Sequence, residues 1–445
     1  MKAGWGASLL RRLNLVCCVV TGLGLVIALE RAGENPKVSQ FDDGGRGAAL
    51  LVILGLLAVY FTANLVIRPF GTSVVRYWIS SVAFSLCCVI GMSGIWLIVH
   101  NSHYRERILG EKMETAAAVD WYLAHNMPPG PQPRRVPTGV YIESMEFDTG
   151  NNVLITGYIW QRVAKDLPAS AIGVALPETH GTSNLTEAYR RDLGSETLIG
   201  WYLNARFRLQ FDYAQYPIDR QDISLRMWSS DFARGVMLVP DLQSYPPWQA
   251  HGVFGLDKRF ARAGWNPHYS VFTYVRIDYD SSFGDGAYKK TKPYPELYFH
   301  VGFDRSFRGP LTETVLPLAF VAILVFAAMF ITTTDSERRL VVGWSTLTTI
   351  TFAMSALLVV ALRHNAILTS TETPKLVYLE SFPFVMYFMI MATAVNSILF
   401  ATTQYRFLHW RENLLPALLF WPVLTGALLL LTLVAFWRPP IGSVS

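Results

Sequence analysis

The chain has 445 residues, of which 51% are hydrophobic and only 16% are charged. That balance is too apolar for an ordinary soluble domain. The net charge of +5 is accounted for by basic residues in short loops between apolar runs, so it makes no case for a nucleic-acid partner.

The apolar residues gather in runs close to the roughly 20 residues that a helix needs to cross a bilayer. Three runs precede a polar middle, at residues 13–29, 48–67 and 78–99. The first is the shortest and competes with a signal peptide. No Ala-x-Ala-like site closes it before Glu30-Arg31, so it is expected as a retained helix. Four runs follow the middle, at 311–332, 340–362, 376–401 and 413–437. Lys2, Arg11 and Arg12 put the N-terminus in the cytoplasm, and Arg68, Arg76, Arg338, Arg339, Arg406 and Arg411 then all fall in inside loops. The polar middle and the C-terminus are expected outside. Cys17, Cys18, Cys87 and Cys88 all lie within predicted spans, so the external domain owes nothing to disulfides.

After the third span, residues 103–126 read as a helix with an apolar side at Ala116, Val119, Tyr122 and Leu123, ended by a proline-rich linker that runs to residue 135. From 136 to 309 the pattern is that of strands. Residues 140–147 and 153–160 form a hairpin about the turn Thr149-Gly150-Asn151-Asn152, and further strands are expected at 198–211, 223–228, 236–240, 269–279 and 297–303. Residues 280–290 read as a hairpin tip. Short strands with turn signals between them indicate a β-sandwich. The expected fold is therefore a membrane α+β protein, with three transmembrane helices (residues 1–102), a helix and linker (103–135), an extracytoplasmic β-sandwich (136–309), four transmembrane helices (310–437) and a short tail. The last strand passes almost directly into a spanning helix through Phe303-Asp-Arg-Ser-Phe-Arg-Gly-Pro310, a connection able to carry force from the outside into the membrane.

No Walker loop, GxSxG elbow, HExxH or CxxC is present, so neither an enzyme nor a cofactor is expected. The nine His residues lack metal-site spacing, and Asp278, Asp280 and Asp285 read better as a solvated turn than as a Ca²⁺ site. The motif that stands out is Tyr216-Pro217-Ile218-Asp219-Arg220-Gln221. Alone it is a turn, since Pro pre-sets one dihedral and Asp bonds nearby backbone. Here it joins two predicted strands of a domain that ends at the membrane.

In that setting the chain resembles the pentameric ligand-gated ion channels, the Cys-loop receptors and their prokaryotic relatives. An aromatic-Pro-x-Asp motif opens that family's signature loop, and the bacterial members, like this chain, lack its two cysteines. Arg305 at the entrance to the first core helix, Pro317 within Val315-Leu316-Pro317, Ser336-Glu337-Arg338-Arg339-Leu340 before the second and Thr373-Pro374-Lys375-Leu376-Val377-Tyr378 before the third follow in the family's order. The resemblance covers residues 136–437. It implies a homopentameric, ligand-gated channel of a bacterial cytoplasmic membrane, with Tyr216, Pro217, Asp219, Arg305 and Pro317 coupling the sandwich to the helices.

The resemblance also makes the second core helix the pore lining. Its hydroxyl-rich stretch suits a wetted wall and equally suits helix packing. One register faces Leu340, Trp344, Leu347, Thr351 and Met354 to the axis. The other, preferred because a Trp ring would crowd a narrow pore, faces Val341, Ser345, Thr348, Phe352 and Ser355, with Glu337 at the cytoplasmic mouth favouring cations. Trp228, Phe283 and Tyr288 are the ligand-binding candidates, their ring faces suited to a cation; the ligand itself, a small molecule or an ion, is not specified. The alternative is a non-conducting sensor or accessory subunit that docks to other membrane proteins through its three added helices.

Overall fold

The structure is a computed structural model. It describes residues 4–34, 53–55, 57–58, 60–61, 64, 73–101, 108–127, 132–181, 184–230, 235–246, 252–257, 264–281, 294–331, 346–403, 405 and 409–437. Helix α1 (Gly4–Glu34) holds the first expected span, and α2 (Val74–Asn101) the third. The second lies largely outside the described residues, although the buried Asn14 of α1 donates to the Phe61 carbonyl at 3.1 Å.

The expected helix at 103–126 is corrected to α3 (Ala116–Asn126), capped by the Thr115 hydroxyl, which accepts from the Ala118 amide. Ahead of it runs a short strand, β1 (Glu111–Lys112). Gly110 takes the left-handed φ of +81°, and Met113 is buried, its amide donating to the Phe272 carbonyl at 2.8 Å. Pairing to an open strand edge and burial of Met113 there outweigh the weak helical preference of these residues.

The strands that follow are β2 (Arg134–Thr149), β3 (Asn152–Ala164), β4 (Val174–Ala175), β5 (Asn184–Asp192), β6 (Glu196–Arg208), β7 (Arg220–Ser229), β8 (Val236–Pro240), β9 (Trp265–Val275) and β10 (Glu296–Arg305). They form two five-stranded sheets in the orders β1-β9-β10-β7-β4 and β5-β6-β3-β2-β8. Every pairing is antiparallel except β2 with β8. The inner faces share one core in which Ile155, Ile159 and Phe207 of one sheet meet Leu225, Phe272 and Phe299 of the other. Strict alternation along β3 makes this possible, since its odd-numbered residues from Val153 to Val163 are all buried.

One polar side chain is buried on the opposite face of β10, away from that core. His300 of β10 is 1% exposed, and its Nε2 lies 2.9 Å from the Thr273 hydroxyl. Burial pushes its pKa down to about 4 from 6.5. Between those values the unfolded chain binds more protons than the folded one, so this residue's contribution to stability is full above pH 6.5 and falls as the pH drops towards 4. His300→Gln should flatten the acid-side loss by about 3 kcal/mol. Urea midpoints of wild type and variant at pH 7, 5 and 4 measure it, and parallel pH profiles would refute it.

Five helices among the described residues are long and apolar enough to cross a membrane. They are α2 and four after the sheets: α4 (Arg308–Ile331), α5 (Thr346–Thr371), α6 (Ser381–Thr402) and α7 (Leu414–Trp437). Helix α5 runs past the expected end at 362 through Arg363-His364-Asn365, because no Pro stops it before Pro374. A second apolar core joins Ile95 of α2, Val325 of α4, Val360 of α5, Ile390 of α6 and Leu429 of α7. The same core takes in Tyr213, Tyr216 and Ile218, which lie between β6 and β7. The two halves of the chain therefore meet through that loop.

Candidate coupling site between the sheets and the helices

The loop between β6 and β7 is shaped by its own backbone and by one glutamine. The Tyr216 amide donates to the Tyr213 carbonyl and the Ile218 amide to the Gln215 carbonyl, each at 2.9 Å. The Tyr216–Pro217 peptide is cis. At the loop's base the Gln221 amide group accepts from the Asp212 backbone amide at 3.2 Å and donates to the Asp212 carbonyl at 3.0 Å. It also donates to Asp219 Oδ2 at 2.7 Å. The loop's apolar side chains are thereby presented to the helices.

The Asp219 side chain is wholly buried, at 0% exposure. Arg305, the last residue of β10, meets it fork to fork, Nε to Oδ1 at 2.6 Å and Nη2 to Oδ2 at 3.1 Å. Such bidentate geometry is the strongest form of this contact. The guanidinium also lies 4.0 Å from the Trp265 ring centroid and 4.9 Å from that of Tyr216. Trp265 in turn stacks on Phe147 of β2 at 4.2 Å. The cation is thus held by a carboxylate on one side and ring faces on the others, a favourable place for a desolvated charge. Burial pushes the Tyr213 phenol up to about 12 and that of Tyr216 upward as well, so both remain neutral beside the pair.

Only Ser306 and Phe307 separate β10 from α4. Pro317 lies inside α4, where it withholds the hydrogen bond that the Glu313 carbonyl would otherwise receive. On its other side the site rests on the end of α5. The tip of the β2–β3 hairpin is so close there that a Cβ built on Gly150 would lie 2.1 Å from the Thr371 carbonyl oxygen. The Tyr216 hydroxyl is hydrogen-bonded to Ser370. The Tyr378 amide, in the turn before α6, donates to the Ala214 carbonyl at 3.2 Å. Two separate elements of the sheets therefore sit on the segment from Ser370 to Tyr378.

The structure brings together Tyr216, Pro217, Asp219 and Arg305, with Pro317 further along α4. Trp265 and Ser370 complete the arrangement without a signal in the sequence, together with Gln221, which the motif includes without a role, and Gly150. Gly150 belongs to an evident turn, but nothing local says what that turn touches.

The pore candidates Glu337, Val341 and Ser345 lie outside the described residues. Along α5, Thr349, Ala353, Ala356 and Val360 are buried, and the opposite face is Leu347, Thr351, Met354, Leu358 and Leu362, all exposed. Thr348, Phe352 and Ser355 lie on its flank, with Phe352 packed against the helix core. The Thr351 and Ser355 hydroxyls donate to the carbonyls four residues earlier, so their bonding is met within the helix.

Phe283 and Tyr288 also lie outside the described residues. Trp228, half-buried at the end of β7, has the Arg226 guanidinium 4.7 Å from its ring. Arg226 pairs with the buried Glu296 at 2.7 Å, and the Tyr279 hydroxyl bonds to both. The chain's own cation fills this cage, so a cationic ligand expected on the Trp228 ring face would have to displace Arg226. No family model matches the chain, and no curated protein matches it.

Proposed function

We propose that the protein is a channel-like membrane protein of the pentameric ligand-gated type, whose external two-sheet domain is coupled to the four closing helices. One observation carries this reading. The hairpin tip at Gly150 rests on Thr371 at the end of α5, the loop holding Asp219 rests on Ser370 and on Tyr378 before α6, and Asp219 grips the strand end that leads into α4. A displacement of the sheets would then act on two helices at once. Binding outside would bias a closed and an open arrangement through unequal affinity for the two. In this reading three helices precede the external domain and four follow it, the N-terminus is cytoplasmic, and five copies surround an axis lined by α5. The free face of α5 favours the register of Leu347, Thr351 and Met354 towards that axis, which makes the path a largely apolar constriction of the kind that gates by dewetting.

A second reading has its own support. The same apolar face suits contact with lipid or with helices of other subunits, as in a non-conducting sensor or accessory subunit. Purified protein in nanodiscs separates the two. The channel reading expects a pentamer and unitary currents in planar bilayers, with Met354→Asp raising conduction by relieving the apolar constriction. A monomer, or no current under any ligand, pH or voltage, would leave the non-conducting reading.

A further inference from the structure

The residue after Asp219 engages a different part of the membrane segment. Arg220 Nη2 donates to the His100 carbonyl at 3.1 Å and to that of Val99 at 3.4 Å, both in the last turn of α2. Its Nε lies 3.0 Å from Asp304 Oδ1. Carbonyls in a helix's last turn carry partial negative charge, so a guanidinium is well placed beside them. A second connection runs beside the first. Trp96 of α2 donates from Nε1 to the Tyr378 hydroxyl at 2.8 Å, and that hydroxyl is bonded to Thr432 of α7 at 2.8 Å. Tyr378 is the residue whose amide holds the signature loop at Ala214. Further down, α2 is fixed to the bundle by Ser81, whose hydroxyl donates to the Leu418 carbonyl at 2.6 Å.

Consecutive side chains of one short segment therefore hold different helices: Asp219 holds the strand leading into α4, and Arg220 holds α2. A rotation of the sheets that moves Asp219 must move Arg220 against α2, or drag α2 along α7. We infer that α2 is a third arm of the coupling site, through which the N-terminal helices regulate how readily the junction shifts. This rests on the reading of the junction as a coupling site, and it gives the added helices a role within the chain.

Hydrogen exchange on the full-length protein in nanodiscs tests it without needing a current. Arg220→Gln should speed exchange roughly 10- to 100-fold at residues 96–101, 212–219 and 372–380, the range for losing hydrogen bonds to a charged group. Arg220→Lys should give a smaller rise. Arg190→Gln, which breaks an exposed pair with Glu187, should give none there. Trp96→Phe leaves Arg220 intact and should loosen 372–380 and 212–219, so the test survives if Arg220→Gln fails to fold. A rise confined to 96–101 would reduce Arg220 to an ordinary helix cap and overturn the inference, as would no rise at all. If wild type conducts, Arg220→Gln should also shift the gating midpoint; an unchanged midpoint would remove the regulatory role. Absence of current in every variant would count against the proposed function and leave the exchange result standing.

Discussion

Asp219→Asn should destabilise the junction by about 3–5 kcal/mol, the cost of leaving one member of a buried ion pair without its partner. For a domain of this size that corresponds to a melting shift of roughly 10 °C. The size follows from burial. The Asp219 side chain is 0% exposed and that of Arg305 16% exposed, so water cannot replace the lost carboxylate. The Trp265 and Tyr216 rings that flank the guanidinium add attraction but cannot neutralise it. Gln221 would lose its charged acceptor as well. The double variant Asp219→Asn/Arg305→Gln removes both charges and should lose less than the sum of the two single changes, as coupled neighbours do. Chemical unfolding across the four-member cycle measures this, and a coupling energy under about 1 kcal/mol would reclassify the pair with ordinary surface bridges. In a conducting protein, Asp219→Asn should also lower open probability.

Parts of this arrangement were legible in the sequence because they are local. The turn Thr149-Gly150-Asn151-Asn152 marks the β2–β3 hairpin, and the strand expected at 236–240 has the bounds of β8. Continuous apolar runs marked the helices. A family resemblance sets Asp219 and Arg305 at one junction, and the structure joins them by two hydrogen bonds. What escaped was set by distant contacts. β5 (Asn184–Asp192) carries Thr, Glu, Tyr and Arg in place of an apolar alternation, because among the described residues it is the edge of its sheet, paired with β6. The stretch before α3 became a strand through pairing with β9, more than 150 residues away in sequence. The Trp228 ring looked available to a ligand cation because nothing in the linear chain shows that Arg226, two residues earlier on the same strand face, covers it.

Gly150→Ala should separate the hairpin tip from α5 while leaving the sheets folded. The added methyl would stand 2.1 Å from the Thr371 carbonyl oxygen, whereas real Cβ contacts essentially never fall below 3.0 Å. That oxygen belongs to backbone, so no rotamer change relieves the overlap and the tip or the helix end must move by about 1 Å. Overpacking of this kind costs roughly 1–3 kcal/mol. Because the turn joins β2 and β3 at their ends, the displacement can be taken up by lifting the tip without disturbing the paired residues behind it. Gly139→Ala supplies the contrast. It collides with the Trp160 ring at 2.2 Å, roughly 30 Å back along the same strand, and so tests destabilisation away from the junction. Hydrogen exchange at 148–152 and 368–372 should rise in Gly150→Ala and stay near wild type in Gly139→Ala, even where Gly139→Ala melts lower. In a conducting protein Gly150→Ala should weaken gating by the external domain in proportion to that rise. Equal exchange in the two variants would mean that the tip's position on α5 carries no coupling, and would shift the weight of the junction to the Asp219–Arg305 pair and the loop that holds it.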